Sequence, residues 1–300
     1  MERLKKIDMH VHSTPERFIE RINGGTYATP DELRVIYDKF GIEKGLLLPS
    51  GMYAASTYDV ISPREAYHLV QNYPETLGWW FCNVNPAWGD NTAAFDLNHF
   101  LNFFKSKGAK GLGELTENRF FDDPFMRNLF RHCEKCDMPI TFHIGDMSGD
   151  YGIVDSLGLP GLEKTLSDFP ELMLIGHSQK FWAEISGDAD EKTRSGYPKG
   201  KVAKGGRVPY LLKKYPNMYA DLSAGSGYNA VTRDPEFGYE FLEEFQNKLF
   251  YGTDICDPRN ITNPMLQLAE YLDTAMENKK ITYTAYEKIS RKNALELLNR

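Results

Sequence analysis

Eight short runs rich in Val, Ile, Leu and Phe, set between amphipathic stretches and Gly, Pro or Asn breakers, predict an α/β chain closed as a (β/α)8 TIM barrel. Strand alternating with helix implies parallel pairing, and eight such units match the length of one barrel, about 250 residues or more. A doubly wound open sheet is the alternative, but no G-x-G-x-x-G turn follows the first strand to support it.

The runs lie at residues 5–12, 43–50, 77–85, 109–116, 138–145, 172–178, 217–224 and 248–255. Helical spacing marks PDELRVIYDKF, SPREAYHLVQNY, AAFDLNHFLNFFKSKG, LPGLEKTLSDF and DPEFGYEFLEEF between them. FMRNLFRHCEKCDMP reads as a helix ending before Pro139, so its C-x-x-C, Cys133 and Cys136, reads as ordinary helix cysteines; no second pair completes a four-thiolate site. After the eighth run the pattern is helical to residue 300, with no linker composition, so residues 1–300 are expected to form one domain. The polar, glycine-rich segment 181–215 interrupts the alternation and is a candidate lid over the barrel mouth, with a solvated surface loop as the plainer reading.

Composition bounds the chemistry. With 41% hydrophobic and 26% charged residues, the 300-residue chain is globular, and its net charge of −7 disfavours nucleic acid and anionic membranes. No apolar run is long enough to cross a bilayer, and four scattered cysteines fit a reducing, cytoplasmic setting. A small-molecule enzyme is the expectation; whether it forms a homo-oligomer is left open.

The first strand raises the chemical question. In IDMHVH, alternation places Asp8, His10 and His12 on one face and Ile7, Met9 and Val11 on the other. Two imidazoles one residue apart can converge on one ion. Barrel enzymes keep their chemistry at the C-terminal ends of the strands. There stand Glu114 at strand four, His143 at strand five, His177 at strand six and Asp254 at strand eight, while His68, His99 and His132 fall in helices. Taken singly, each has a bland explanation: a core histidine bonded to a carbonyl, a helix-capping aspartate, a glutamate paired with lysine. Together they make a ligand set.

That order, H-x-H at strand one, His at strands five and six, and Asp in YGTDI at strand eight, resembles the amidohydrolase superfamily. GHSQKFWAEIS, ADLSAGSGYNAVTRDPEF and NALELL are similar more narrowly to its amidohydrolase-related branch, which includes aminocarboxymuconate semialdehyde decarboxylase and related decarboxylases, hydratases and lactonases. The resemblance spans the chain. It implies one or two divalent metals, usually zinc, and a metal-activated water. Carried over, it gives His10, His12, His143 and Asp254 as ligands of one metal, with His177 and Asp254 as the catalytic proton-transfer groups. Many binuclear members have a carboxylated lysine at strand four; here Glu114 stands there, and as a bridge it would put His143 and His177 on a second metal, with Asp254 as base, the rival role for Glu114 being a substrate contact. Hydrolysis of a small ester, lactone or amide is the first reading, and decarboxylation or hydration of a small carboxylic acid the alternative. A turnover-free metal-binding barrel and phosphodiester cleavage are weaker readings.

Position suggests the substrate contacts. Asp221, Ser223 and the glycine-rich SAGSGYN after strand seven are expected to orient substrate, Arg233 to hold a carboxylate bidentately, and Lys201, with Lys199 and Arg207, to meet an anionic substrate from the lid. Trp79, Trp80, Asn83 and Asn85 are candidate pocket walls, with the core as the equal alternative for the two tryptophans.

Overall fold

The structure is a computed structural model that describes residues 2–22, 24–49, 61–90, 92–147 and 151–300. Eight strands alternate with helices as the sequence predicts. They are β1 (Lys6–Val11), β2 (Ile42–Leu47), β3 (Leu77–Trp80), β4 (Leu112–Leu115), β5 (Ile140–Gly145), β6 (Leu174–His177), β7 (Met218–Asp221) and β8 (Leu249–Phe250). Ser50, the predicted last residue of the second strand, lies outside the described residues.

All neighbouring strands pair in parallel, as two runs, β1 to β3 and β4 to β8. Backbone hydrogen bonds join the runs at both edges. Cys82 N donates to Gly111 O at 2.9 Å and Gly113 N to Cys82 O at 2.9 Å; at the other seam Met9 N donates to Tyr251 O at 3.0 Å and His12 N to Ile255 O at 2.9 Å. The sheet therefore closes on itself, which leaves no open edge. A two-residue strand, Ile153–Val154, adds to β5 outside the ring.

The first two helices begin where the sequence caps them. Thr29 and Glu32 form a reciprocal capping box at α1 (Pro30–Phe40), and Ser62 and Glu65 do so at α2 (Pro63–Asn72). Next come α3 (Asn98–Ser106), α4 (Pro124–Lys135), α5 (Pro160–Asp168), α6 (Gln179–Ala183), α7 (Arg207–Lys214), α8 (Ala224–Thr232), α9 (Pro235–Glu244) and α10 (Leu268–Glu277). The four cysteines are free.

Two features differ from the sequence reading. The register of β1 against β2 shifts between Asp8 and Val11, so simple alternation breaks there. Ile7 and Met9 pack with Phe81, Ile175 and Phe250, whereas Val11 joins the larger cluster, and Asp8 accepts from Tyr37 of α1 at 2.8 Å instead of sharing the face of the histidines. The segment 181–215 is also not structureless: α6 and α7 occupy its ends. Between them Arg194 donates to Glu184 at 3.0 Å and to Asp155 O at 3.1 Å, both side chains of the ion pair being buried.

Candidate metal centre

Six side chains from five strand ends converge. Nε2 of His10 lies 3.2 Å from Nε2 of His12. Oε2 of Glu114 is 3.8 Å from Nε2 of His10 and 3.5 Å from Nε2 of His12, while its Oε1 is 2.8 Å from Nδ1 of His143 and 3.9 Å from Nε2 of His177. Asp254 repeats the division, with Oδ1 at 3.6 Å from His10 and 3.4 Å from His12, and Oδ2 at 3.8 Å from His177. Each group of three, His10 with His12 and Glu114, His10 with His177 and Asp254, and Glu114 with His143 and His177, is spaced so that one ion could be held.

Local sequence explains the placement. His143 and His177 are register partners on adjacent strands, hence level with one another. Gly113 has φ +150°, and a Cβ there would stand 2.7 Å from Thr141 O, so only glycine lets β4 approach β5 this closely with Glu114 next in line. Asp254 has φ +59°, a left-handed conformation that aspartate tolerates better than most residues, and its amide donates to His10 O at 2.8 Å.

The donors behind the rings decide what the cluster can hold. Nδ1 of His12 meets Leu48 O at 2.9 Å and Nδ1 of His10 meets Asp221 Oδ2 at 2.6 Å, so each Nδ1 carries the hydrogen. In the neutral rings both Nε2 atoms are then bare lone pairs, facing each other and two carboxylates. Acceptors gathered without a donor require a cation, and a carbonyl or carboxylate behind a ligating imidazole is the usual support of a metal site. The residues therefore fit a divalent metal. Burial opposes charging His10, yet Asp221 overcomes it and carries the ring up to about 10, so in the absence of metal the cluster draws a proton instead. Burial would raise Glu114, but the surrounding imidazoles hold it well below the usual carboxylate range. Burial and the charge of His10 push His177 down to about 4.

His177 has its own support. Ser223 Oγ donates to Asp221 Oδ2 at 2.8 Å and so accepts from Nδ1 of His177 at 3.0 Å, which leaves Nε2 of His177 bare. Ser223 is fully buried in this relay, with its hydroxyl turned to His177 and Asp221. Asp221 likewise serves His10 and Ser223. A cavity of about 460 Å³ opens above His143, His177 and Asp254, bordered by Tyr151, Gln179, Tyr197, Tyr228, Asn229 and Asn260. Lys201 is exposed and Arg233 sits in an adjoining crevice with Ser226, and neither borders this cavity. Arg207 is tied to Glu163, and Lys199 is exposed. Only Tyr197 of the supposed lid reaches the cavity. Trp80, Asn83 and Asn85 line a different one. Tyr228 and Asn229, on α8, belong to the glycine-rich run after strand seven, whereas Tyr151, Gln179 and Asn260 carry no charge or periodicity that marks them in the sequence.

A parallel barrel whose strand ends gather histidines and carboxylates around a site fit for a divalent ion defines a metal-dependent enzyme class. The chain belongs to the amidohydrolase family, whose profile, described as Amidohydrolase, matches residues 7–300. Solved structures share the fold. An amidohydrolase from Burkholderia multivorans with bound Zn gives a TM-score of 0.60 at 12% identity, over 98% of this chain and 99% of that one. A probable 2-pyrone-4,6-dicarboxylic acid hydrolase from Acinetobacter baumannii with citric acid bound gives 0.58 at 14% identity, over 99% and 100%. 5-Carboxyvanillate decarboxylase from Novosphingobium aromaticivorans, with bound manganese, gives 0.58 at 15% identity, over 99% and 97%. No curated protein matches the sequence significantly. Among the described residues no helix is long and apolar enough to cross a membrane.

Proposed function

We propose that the protein is a metal-dependent hydrolase of a small-molecule ester, lactone or amide. The observation that carries this reading is the division of Glu114, one oxygen toward His10 and His12 and the other toward His143 and His177. A carboxylate so placed could serve two ions at once; His10, His12 and Asp254 would hold one, and His143 and His177 a second. Zinc fits these nitrogen and oxygen donors, as does manganese. Such ions, when bound, polarise a carbonyl oxygen and make water more acidic.

The chain supplies proton transfer and orientation. The Asp254 side chain is 25% exposed where the four histidines of the site show 8% or less, so it is the group of the set that faces the cavity water. It takes the proton of the attacking water and returns it to the leaving group. Ser223 and Asp221 keep the hydrogen of His177 on Nδ1. Gln179, Tyr228, Asn229 and Asn260 offer donors and acceptors to the oxygens of a neutral or weakly charged substrate.

The bare Nε2 of His177 favours a second reading. With a single ion on His10, His12, His143 and Asp254, that nitrogen is free to exchange a proton with carbon, as decarboxylation or hydration of a small acid needs. Decarboxylases of this fold give the reading weight. Elemental analysis of the purified protein and of Glu114→Gln separates the two, alongside turnover in ¹⁸O-water of lactones, esters and aromatic acids. Two ions per chain falling to one in the variant, with ¹⁸O in the product, supports hydrolysis. One ion in both, with carbon dioxide released, supports the lyase. No metal after reconstitution overturns both.

A further inference from the structure

A second cavity, of about 850 Å³, lies between α2 and α3 on the side of β3 and β4, apart from the residues that border the metal centre's cavity. Its walls are aromatic: Tyr67, Trp80, Trp88, Phe100, Phe103 and Phe104. Glu117 also lines it, 2% exposed, and Oε2 of that carboxyl is buried with no hydrogen-bond donor among the described residues. The nearby cation Arg119 is engaged by Asp123 at 3.1 Å.

A buried carboxyl with an empty oxygen is costly, and the cost is repaid only when a donor, best a cation, pairs with it. Aromatic faces attract the same kind of group through their quadrupoles. An anion would be repelled by the carboxylate, and a purely apolar ligand would leave it unpaired. Arg64, His68 and Lys107 border the cavity too, but they stand exposed, where water screens them. The last torsion of a glutamate is soft, so the carboxyl can turn an oxygen into the space it lines.

We propose that this cavity is a second ligand site, which takes an apolar organic ammonium, an aryl- or alkylamine in its charged form, with Glu117 as the counter-charge and the rings of α2 and α3 as the walls. Burial pushes Glu117 up to about 7, so the pairing is complete only where the carboxyl is ionised.

The test is calorimetric titration of the metal-loaded protein, somewhat above neutral pH, with 2-phenylethylamine and, separately, with 3-phenylpropionate, which has a similar apolar body and the opposite charge. Saturable binding of the amine alone, weakened about tenfold or more in Glu117→Gln with unchanged metal content, supports the site. Phe103→Ser alters a ring that is already half exposed, so it keeps the fold and is expected to weaken the amine as well. No binding of the amine, equal binding of both probes, or amine affinity unchanged in both variants overturns it. If Glu117→Gln does not fold, unchanged affinity in Phe103→Ser alone is enough to do so.

Discussion

Nδ1 of His10 lies 2.6 Å from Oδ2 of Asp221, a contact that fixes which ring nitrogen faces the other ligands. Asp221→Asn keeps the shape but lets the amide present a donor, so the ring loses its orientation and basicity. Metal affinity is expected to fall by about 10–100-fold, measured by competition with a chelator. Unchanged affinity would show that His10 is oriented without its carboxylate.

His10→Ala removes a ring that faces both carboxylates, so bound metal and turnover are both expected to be lost. Asp254→Asn keeps an oxygen in place and removes the proton acceptor. Turnover is expected to fall by about two orders of magnitude or more while metal is largely retained. Elemental analysis with kcat on the same preparations checks both; near wild-type turnover in Asp254→Asn would remove it from proton transfer.

Glu117 sets a pH dependence of stability. Its value in the folded protein, pushed up to about 7 by burial, lies above the 4.5 of a free glutamate, so the folded state binds the proton more tightly. That contribution is fully present below about pH 4.5 and is lost as pH rises through about 7. Glu117→Gln cannot ionise, so it is expected to be more stable than wild type near pH 8, by on the order of 3 kcal/mol, and to differ little near pH 5. Thermal unfolding of both proteins across this range decides it; an equal alkaline loss in the variant would assign the effect elsewhere.

Arg194→Ala would leave Glu184 buried without its cation and free the carbonyls of Asp155 and Ser156. A loss of about 3–5 kcal/mol is expected in urea unfolding, partly restored by adding Glu184→Gln. Because Tyr197 follows three residues later and borders the cavity, KM is expected to rise while metal content holds.

The strands were legible because parallel strands buried on both faces read as short apolar runs, and the ligands because ionisable residues stand out at the ends of such runs. What could not be read was tertiary. Ser223 looked like a substrate contact because its position after β7 is correct for one, yet its hydroxyl turns inward to His177 and Asp221. Lys201 and Arg233 carry the right charge for an anion, but charge gives no direction, and neither is among the residues that border the cavity. The break in alternation at Asp8 comes from a register shift against β2, which no single-strand pattern encodes.

The closing seam of the barrel has a consequence for synthesis. Asp8 takes hydrogen bonds from Thr253, 245 positions later, and His10 accepts from the amide of Asp254 beside it. The imidazoles of β1 leave the ribosome well before Asp254 and wait while the intervening strands and helices are made before their last partner exists. An ion met during that wait finds an incomplete set and little reason to stay, so loading of the centre falls after the ring has shut, and a nascent chain arrested before Asp254 is expected to carry no tightly held metal there.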